Sequence, residues 1–141
     1  MNEFSAKKLG EVLAFTEVKT DTLTRGATAL ALAWGQDRLD AINQEITRQK
    51  EAITHIAQQA DVFDIVRTKA DNTGKKLMAM RDLYVGDQWD NAVELMEWSG
   101  FFEGAAIVHF ALVRGVAETI NHENLLAVSQ DAIDRMNVVR S

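Results

Sequence analysis

Apolar residues recur along this chain at steps of three and four, the spacing of one face of an α-helix. Leu9, Leu13, Thr16, Thr20, Leu23, Ala27, Leu30 and Trp34 form one such stripe. It predicts a first helix over about residues 4–34, and the stripe keeps its phase through Gly26 and the weak helix formers Thr16, Thr20, Thr22 and Thr24. Gly35 followed by Asp37 reads as a helix end and a new cap. A second stripe, Leu39, Ile42, Ile46, Gln49, Ile53, Ile56, Ala60 and Phe63, predicts a helix to about residue 70. Asp71-Asn72-Thr73-Gly74 supplies turn chemistry, a short connector helix is expected from Lys75 to Val85, and Gly86-Asp87 is a second stop.

From about residue 88 the pattern thickens. Leu95, Trp98, Phe102, Ala105, His109, Leu112 and Val116 make one stripe, with Val93, Phe101, Ile107 and Phe110 off it, so this helix is expected to be the buried, central one. The polar run Asn121 to Asn124 ends or bends it, and Leu125, Ala132, Met136 and Val139 mark a last helix. The expected fold is all-α: an antiparallel up-and-down four-helix bundle with long helices and a short connector helix, one domain over residues 1–141. The absence of proline agrees, since proline punctuates most mixed folds.

Composition narrows the function classes. With 47% hydrophobic and 26% charged residues the chain belongs to the ordinary globular class. It has no cysteine, which removes disulfides and thiolate chemistry and fits a reducing compartment. Its N-terminus mixes acids and lysines before any apolar run, unlike a secretory signal, and the expected location is cytoplasmic. The longest nearly apolar stretch, Gly104 to Val113, is about half of the ~20 residues a membrane span needs and is interrupted by His109. A net charge of −6 opposes binding to nucleic acid or anionic membranes.

Chemical motifs are near misses. Glu51 with His55 and Glu118 with His122 are spaced to share a helix face, but neither pair lies on an apolar stripe. The chain resembles ferritin-like proteins only in general bundle shape, and none of that family's ligands is carried over. Glu94-x-x-Glu97 is similar to the first metal-binding pair of all-α nucleotide pyrophosphatases, but the later E-x-x-D pair is missing. Asn72-Thr73-Gly74-Lys75-Lys76 is no phosphate loop, because Lys69 stands where the first glycine belongs. With Arg67, Lys69 and Arg81 it forms a basic patch. No nucleophile sits in a recognisable catalytic turn, so no catalytic, cofactor or metal site is assigned.

Two constellations remain. Gly100, Gly104, Val108, Ala111 and Gly115 trace a groove of small side chains, which together with Trp89, Trp98, Phe101, Phe102 and Phe110, more aromatic surface than one bundle covers, predicts an interface with a second copy. Thr20 and Gln49 lie almost equally far from Gly35, each on an apolar stripe, and His109 is expected at the same height. The three should form a buried polar layer or a ligand site. The function read from these patterns is a structural or adaptor role through self-association and protein–protein contacts. The alternative is a small-molecule- or metal-binding bundle, possibly an enzyme, with its site in the core.

Overall fold

The computed structural model describes the backbone of residues 1–140 and the side chains of residues 1–136. These residues form helices and no strand: α1 (Glu3–Arg25), α2 (Ala27–Trp34), α3 (Gln36–Gln59), α4 (Phe63–Val85), α5 (Ala92–Thr119) and α6 (Glu123–Arg140). Leu125, Ala132 and Met136 of the last predicted stripe are buried, and Val139 lies outside the described side chains.

α1 starts at a capping box in which Asn2 accepts from the Ser5 amide and Ser5 Oγ accepts from the Asn2 amide. Its threonines are accommodated because Thr16, Thr20, Thr22 and Thr24 each donate the hydroxyl to a carbonyl three or four residues back. The predicted continuity through Gly26 is interrupted for one residue, where φ is −94° and ψ 15°. Helical bonding passes through it, from the Gly26 amide to Thr22 O and from the Leu30 amide to Gly26 O. A β-carbon at Gly26 would stand 2.7 Å from Leu95 Cδ1, so the glycine lets the Leu95 side chain of α5 pack directly on the α1–α2 junction. The short connector is therefore α2, not residues 75–85. Gly35, at φ +86° and ψ 147°, turns the chain into α3 through a region essentially reserved for glycine.

The second predicted helix ends at Gln59, well short of residue 70. Asp61 takes a left-handed φ of 57°, the Val62 amide reaches back to Ala57 O and the Asp61 amide to Gln58 O. This is a Schellman stop built on aspartate in place of glycine. Asn121 ends α5 in the same way, at φ 54° with the His122 amide bonded to Ala117 O. In turn, Asp71-Asn72-Thr73-Gly74 is not a turn but the middle of α4. Val66, Ala70 and Val85 keep one face of α4 buried across that stretch, and this packing outweighs the poor local propensity.

The central helix is α1, not α5. Val12, Leu13, Ala14, Phe15 and Thr16 are consecutive and all buried, so α1 is covered around its circumference. Its closest neighbour is α4, which runs parallel to it: Gly10 meets Val66 and Lys69, Glu17 meets Arg67, and Arg25 meets Asp82. α3 and α5 run antiparallel to α1, as shown for α5 by Phe15 against Phe102 and His109 and by Lys19 on Glu103. α6 folds back on α5 through Arg114 and Gln130 and meets α3 through Glu45 and Arg135. Small residues on α1 admit neighbours on every side, whereas α5 has more apolar surface than these helices cover. α5 is also long and apolar enough to cross a membrane by length and composition, and only 33% of its most apolar window is buried.

Candidate functional site

The predicted polar layer does not assemble as a buried one. Thr20 is exposed and its hydroxyl bonds Thr16 O. Gln49 is half-buried between α3 and α6, beside Ala127 and Val128. The His109 side chain is 33% exposed, with Nδ1 on Ala105 O, Nε2 3.5 Å from Glu11, and its ring 4.8 Å from that of Phe15. No hydrogen bond joins any two of the three among the described residues. The cause is the centrality of α1. Its buried polar side chains are Ser5, Thr16 and Thr22, and Thr20 is left at the rim.

The interface candidates divide between two places. Trp98 points inward and is 7% exposed, packed on Phe102 at 5.6 Å between ring centroids. Gly100 and Gly115 lie on the outside, and a β-carbon built on either would meet nothing within 4 Å. Gly104 and Ala111 are half-buried, and Phe101 is 64% exposed, its ring edge-on to Tyr84. Val108 and Leu112 are exposed on the same outer side. The groove of small residues thus packs against no helix of its own chain at either glycine end. Beside it, Tyr84 donates its hydroxyl to Glu97, and burial first, then this bond, holds the phenol above its ordinary value.

A cavity of ≈ 450 Å³ lies among α1, α2, α3 and α5. Trp34, Trp98 and Phe102 give it aromatic walls, and Leu23, Ile42 and Met96 add aliphatic surface. Three charged residues reach it: Lys19, Arg38 and Glu103. Lys19 Nζ is bonded to Glu103 Oε2, and the Arg38 guanidinium stands 6.0 Å from the Trp34 ring centre. Glu103 Oε1 and Trp98 Nε1 are buried without a hydrogen-bond partner among the described residues. An unmet acceptor and an unmet donor on one cavity wall are costly unless something else meets them. Of these residues only Trp98 stood out in the sequence. A lone acid next to the apolar run from Gly104 is the signal that could have marked Glu103, since a charge embedded there needs a partner.

Elsewhere the charged groups are consumed in pairs. Arg81, 2% exposed, bonds Asp21, Thr22 and Asp82 and lies over the face of Trp89. Arg67 grips Glu17 and Asp71, and its hydrogen bond to Glu17 raises its already high pKa. Two cations of the basic patch expected around residues 67–81, Arg67 and Arg81, are thereby paired with acids. Glu51 and His55 are exposed, and His122 Nδ1 accepts the Leu125 amide. Among the described residues no group of three or more such side chains is placed to hold a metal ion. Comparison with known proteins finds no matching family model, no matching curated protein and no matching solved structure.

Proposed function

We propose that this protein acts by self-association, as a structural or adaptor element: two copies pair antiparallel through the outer face of α5 about a two-fold axis at Val108. The long helices then stand as an up-and-down bundle in which α3, α4 and α5 pack around α1 and α6 packs on α5 and α3, and pairing covers the surface of α5 that this bundle leaves bare.

The observation that carries the reading is the symmetry of the outer stripe. Phe101, Gly104, Val108, Leu112 and Gly115 follow one another at steps of three, four, four and three, so they share one helix face. A two-fold contact requires that if residue i meets j, then j meets i. With Val108 on the axis, Phe101 lies opposite Gly115, Gly104 opposite Leu112, and Val108 opposite itself. Each large side chain faces a glycine: Gly115 is exposed and Gly104 half-buried, while Phe101 and Leu112 are exposed. At the ends of the stripe Glu97 meets Thr119, so no two like charges are forced together despite a net charge of −6 on each chain. Glycines also let helix axes approach closer than the usual 8–10 Å or so.

Sedimentation across the micromolar range tests this. The wild-type chain is expected to dimerise there, a standard free energy of about −8 kcal/mol. Val108→Glu places two carboxylates on the axis and should give a monomer with unchanged helix content, because Val108 is exposed in the single chain. Gly104→Leu should weaken pairing by about tenfold or more, since it fills the hole for Leu112. A wild-type monomer at every concentration contradicts the reading, as does a Val108→Glu dimer. A monomer that partitions onto uncharged lipid vesicles would assign the face to lipid and equally contradict it.

A further inference from the structure

We infer that the cavity among α1, α2, α3 and α5 is a binding site for a small, neutral, planar heterocycle that carries one N–H donor and one carbonyl acceptor, as a lactam ring does. This goes beyond the pairing of α5 and rests on different residues.

The volume, ≈ 450 Å³, falls within the span typical of small-molecule sites and suits a bicyclic ring. Trp34, Trp98 and Phe102 offer flat surfaces on which a conjugated ring stacks better than a branched aliphatic chain does. Two polar atoms of the wall residues are buried with no hydrogen-bond partner among the described residues, the donor Trp98 Nε1 and the acceptor Glu103 Oε1. The rest of each side chain holds its unmet atom in place. The Trp98 ring packs on those of Tyr84 and Phe102, at 5.7 Å and 5.6 Å between centroids, and the Glu103 carboxylate is tethered through Oε2 to Lys19. A donor and an acceptor are thus set in position before any ligand arrives, which lowers the ordering cost of binding one.

The hydrogen-bond inventory decides the ligand's chemistry. Trp98 Nε1 requires an acceptor and Glu103 Oε1 a donor, so a ligand that satisfies both carries one of each. A carboxylate only accepts, and it would leave Glu103 Oε1 unmet beside a second anion. An ammonium group only donates, and it would leave Trp98 unmet while competing with Lys19 for the same acid. A plain hydrocarbon supplies neither partner. A lactam holds an N–H and a C=O on one flat, uncharged ring. The inferred arrangement has that ring against the aromatic walls, its carbonyl accepting from Trp98 Nε1 and its N–H donating to Glu103 Oε1.

Calorimetric titration with 2-quinolone, a bicyclic lactam, tests the inference against quinoline, which has the same ring shape and an acceptor but no N–H donor. The lactam should bind saturably at one site with a Kd of about 1 mM or tighter, and quinoline about tenfold more weakly. Glu103→Gln keeps the side-chain shape: its carbonyl can take the bond from Lys19, and its NH2 then stands where Oε1 stood, a donor in place of an acceptor. The preference should reverse toward quinoline. Ala33→Trp, on an exposed wall position, should block both ligands while helix content and Tm stay unchanged, and it keeps the test decisive if Glu103→Gln fails to fold. Equal affinity of the wild-type chain for the two ligands, no binding of either, or tighter binding of naphthoate would each overturn the inference. So would a preference unchanged in folded Glu103→Gln, or binding undiminished in Ala33→Trp. None of these variants touches the Val108 stripe, so the sedimentation result stands or falls separately.

Discussion

At the scale of single residues, Tyr84 reports on its own surroundings because it is the chain's one tyrosine. Burial and the bond to Glu97 disfavour the phenolate, so the folded chain holds the proton to higher pH than the unfolded chain, whose value is near 10.0. The stabilisation from this bond is therefore fully present below pH 10 and is lost as pH rises through the folded value. An ultraviolet titration of the native protein should show a tyrosine midpoint above 10.0, moving back down in Glu97→Ala. A native midpoint at or below the unfolded one would contradict the described environment. Residue identity also accounts for what the sequence left hidden. Lys19 and Glu103 are 84 positions apart, and nothing local in either segment announces that they meet. Thr20 sat on an apolar stripe, yet its hydroxyl is satisfied by its own helix and needs no partner from another.

At the scale of elements, two glycines inside helices should respond to alanine with opposite signs. At Gly10 a β-carbon would stand 2.6 Å from Lys69 Cβ and 2.8 Å from Val66 O, where α1 and α4 run closest. Gly10→Ala forces the two helices apart and should cost about 1–3 kcal/mol in denaturant unfolding. At Gly74 a β-carbon meets nothing within 4 Å, in the middle of α4. Gly74→Ala should stabilise by about 1 kcal/mol, through helix propensity alone. A destabilised Gly74→Ala would mean that residues 71–74 form the turn their composition implies. Helix ends were legible wherever glycine or a polar run marked them, as at Gly35, Gly86 and Asn121. The end at Asp61 was not, because its left-handed conformation is held by backbone bonds to Ala57 and Gln58 on a residue that is unremarkable in sequence. That one miss moved the second helix end, displaced the connector and hid the parallel contact of α1 with α4.

At the scale of the whole molecule, apolar density in the sequence pointed to α5 as the centre, and the folded chain centres on α1 instead. Density alone ranks α5 first, but a helix enclosed on all sides needs small residues that admit its neighbours, and Ser5, Ala6, Gly10 and Ala14 provide them in α1. The apolar surplus of α5 is then left on the outside, where Phe101, Val108 and Leu112 stand exposed. Such a surface on a charged molecule marks a contact site, and its two-fold pattern is the ground on which we propose a second copy as the occupant.

The most direct test uses the absence of cysteine in the chain. Val108→Cys places one thiol in each copy on the proposed axis, so that the two thiols face each other across it. Under mild oxidation at micromolar protein the account predicts rapid, near-complete formation of a covalent dimer. Leu32→Cys, more exposed than Val108 but on α2, should stay largely monomeric under the same conditions. A Val108→Cys protein that remains monomeric, or that cross-links no faster than Leu32→Cys, would contradict pairing through α5.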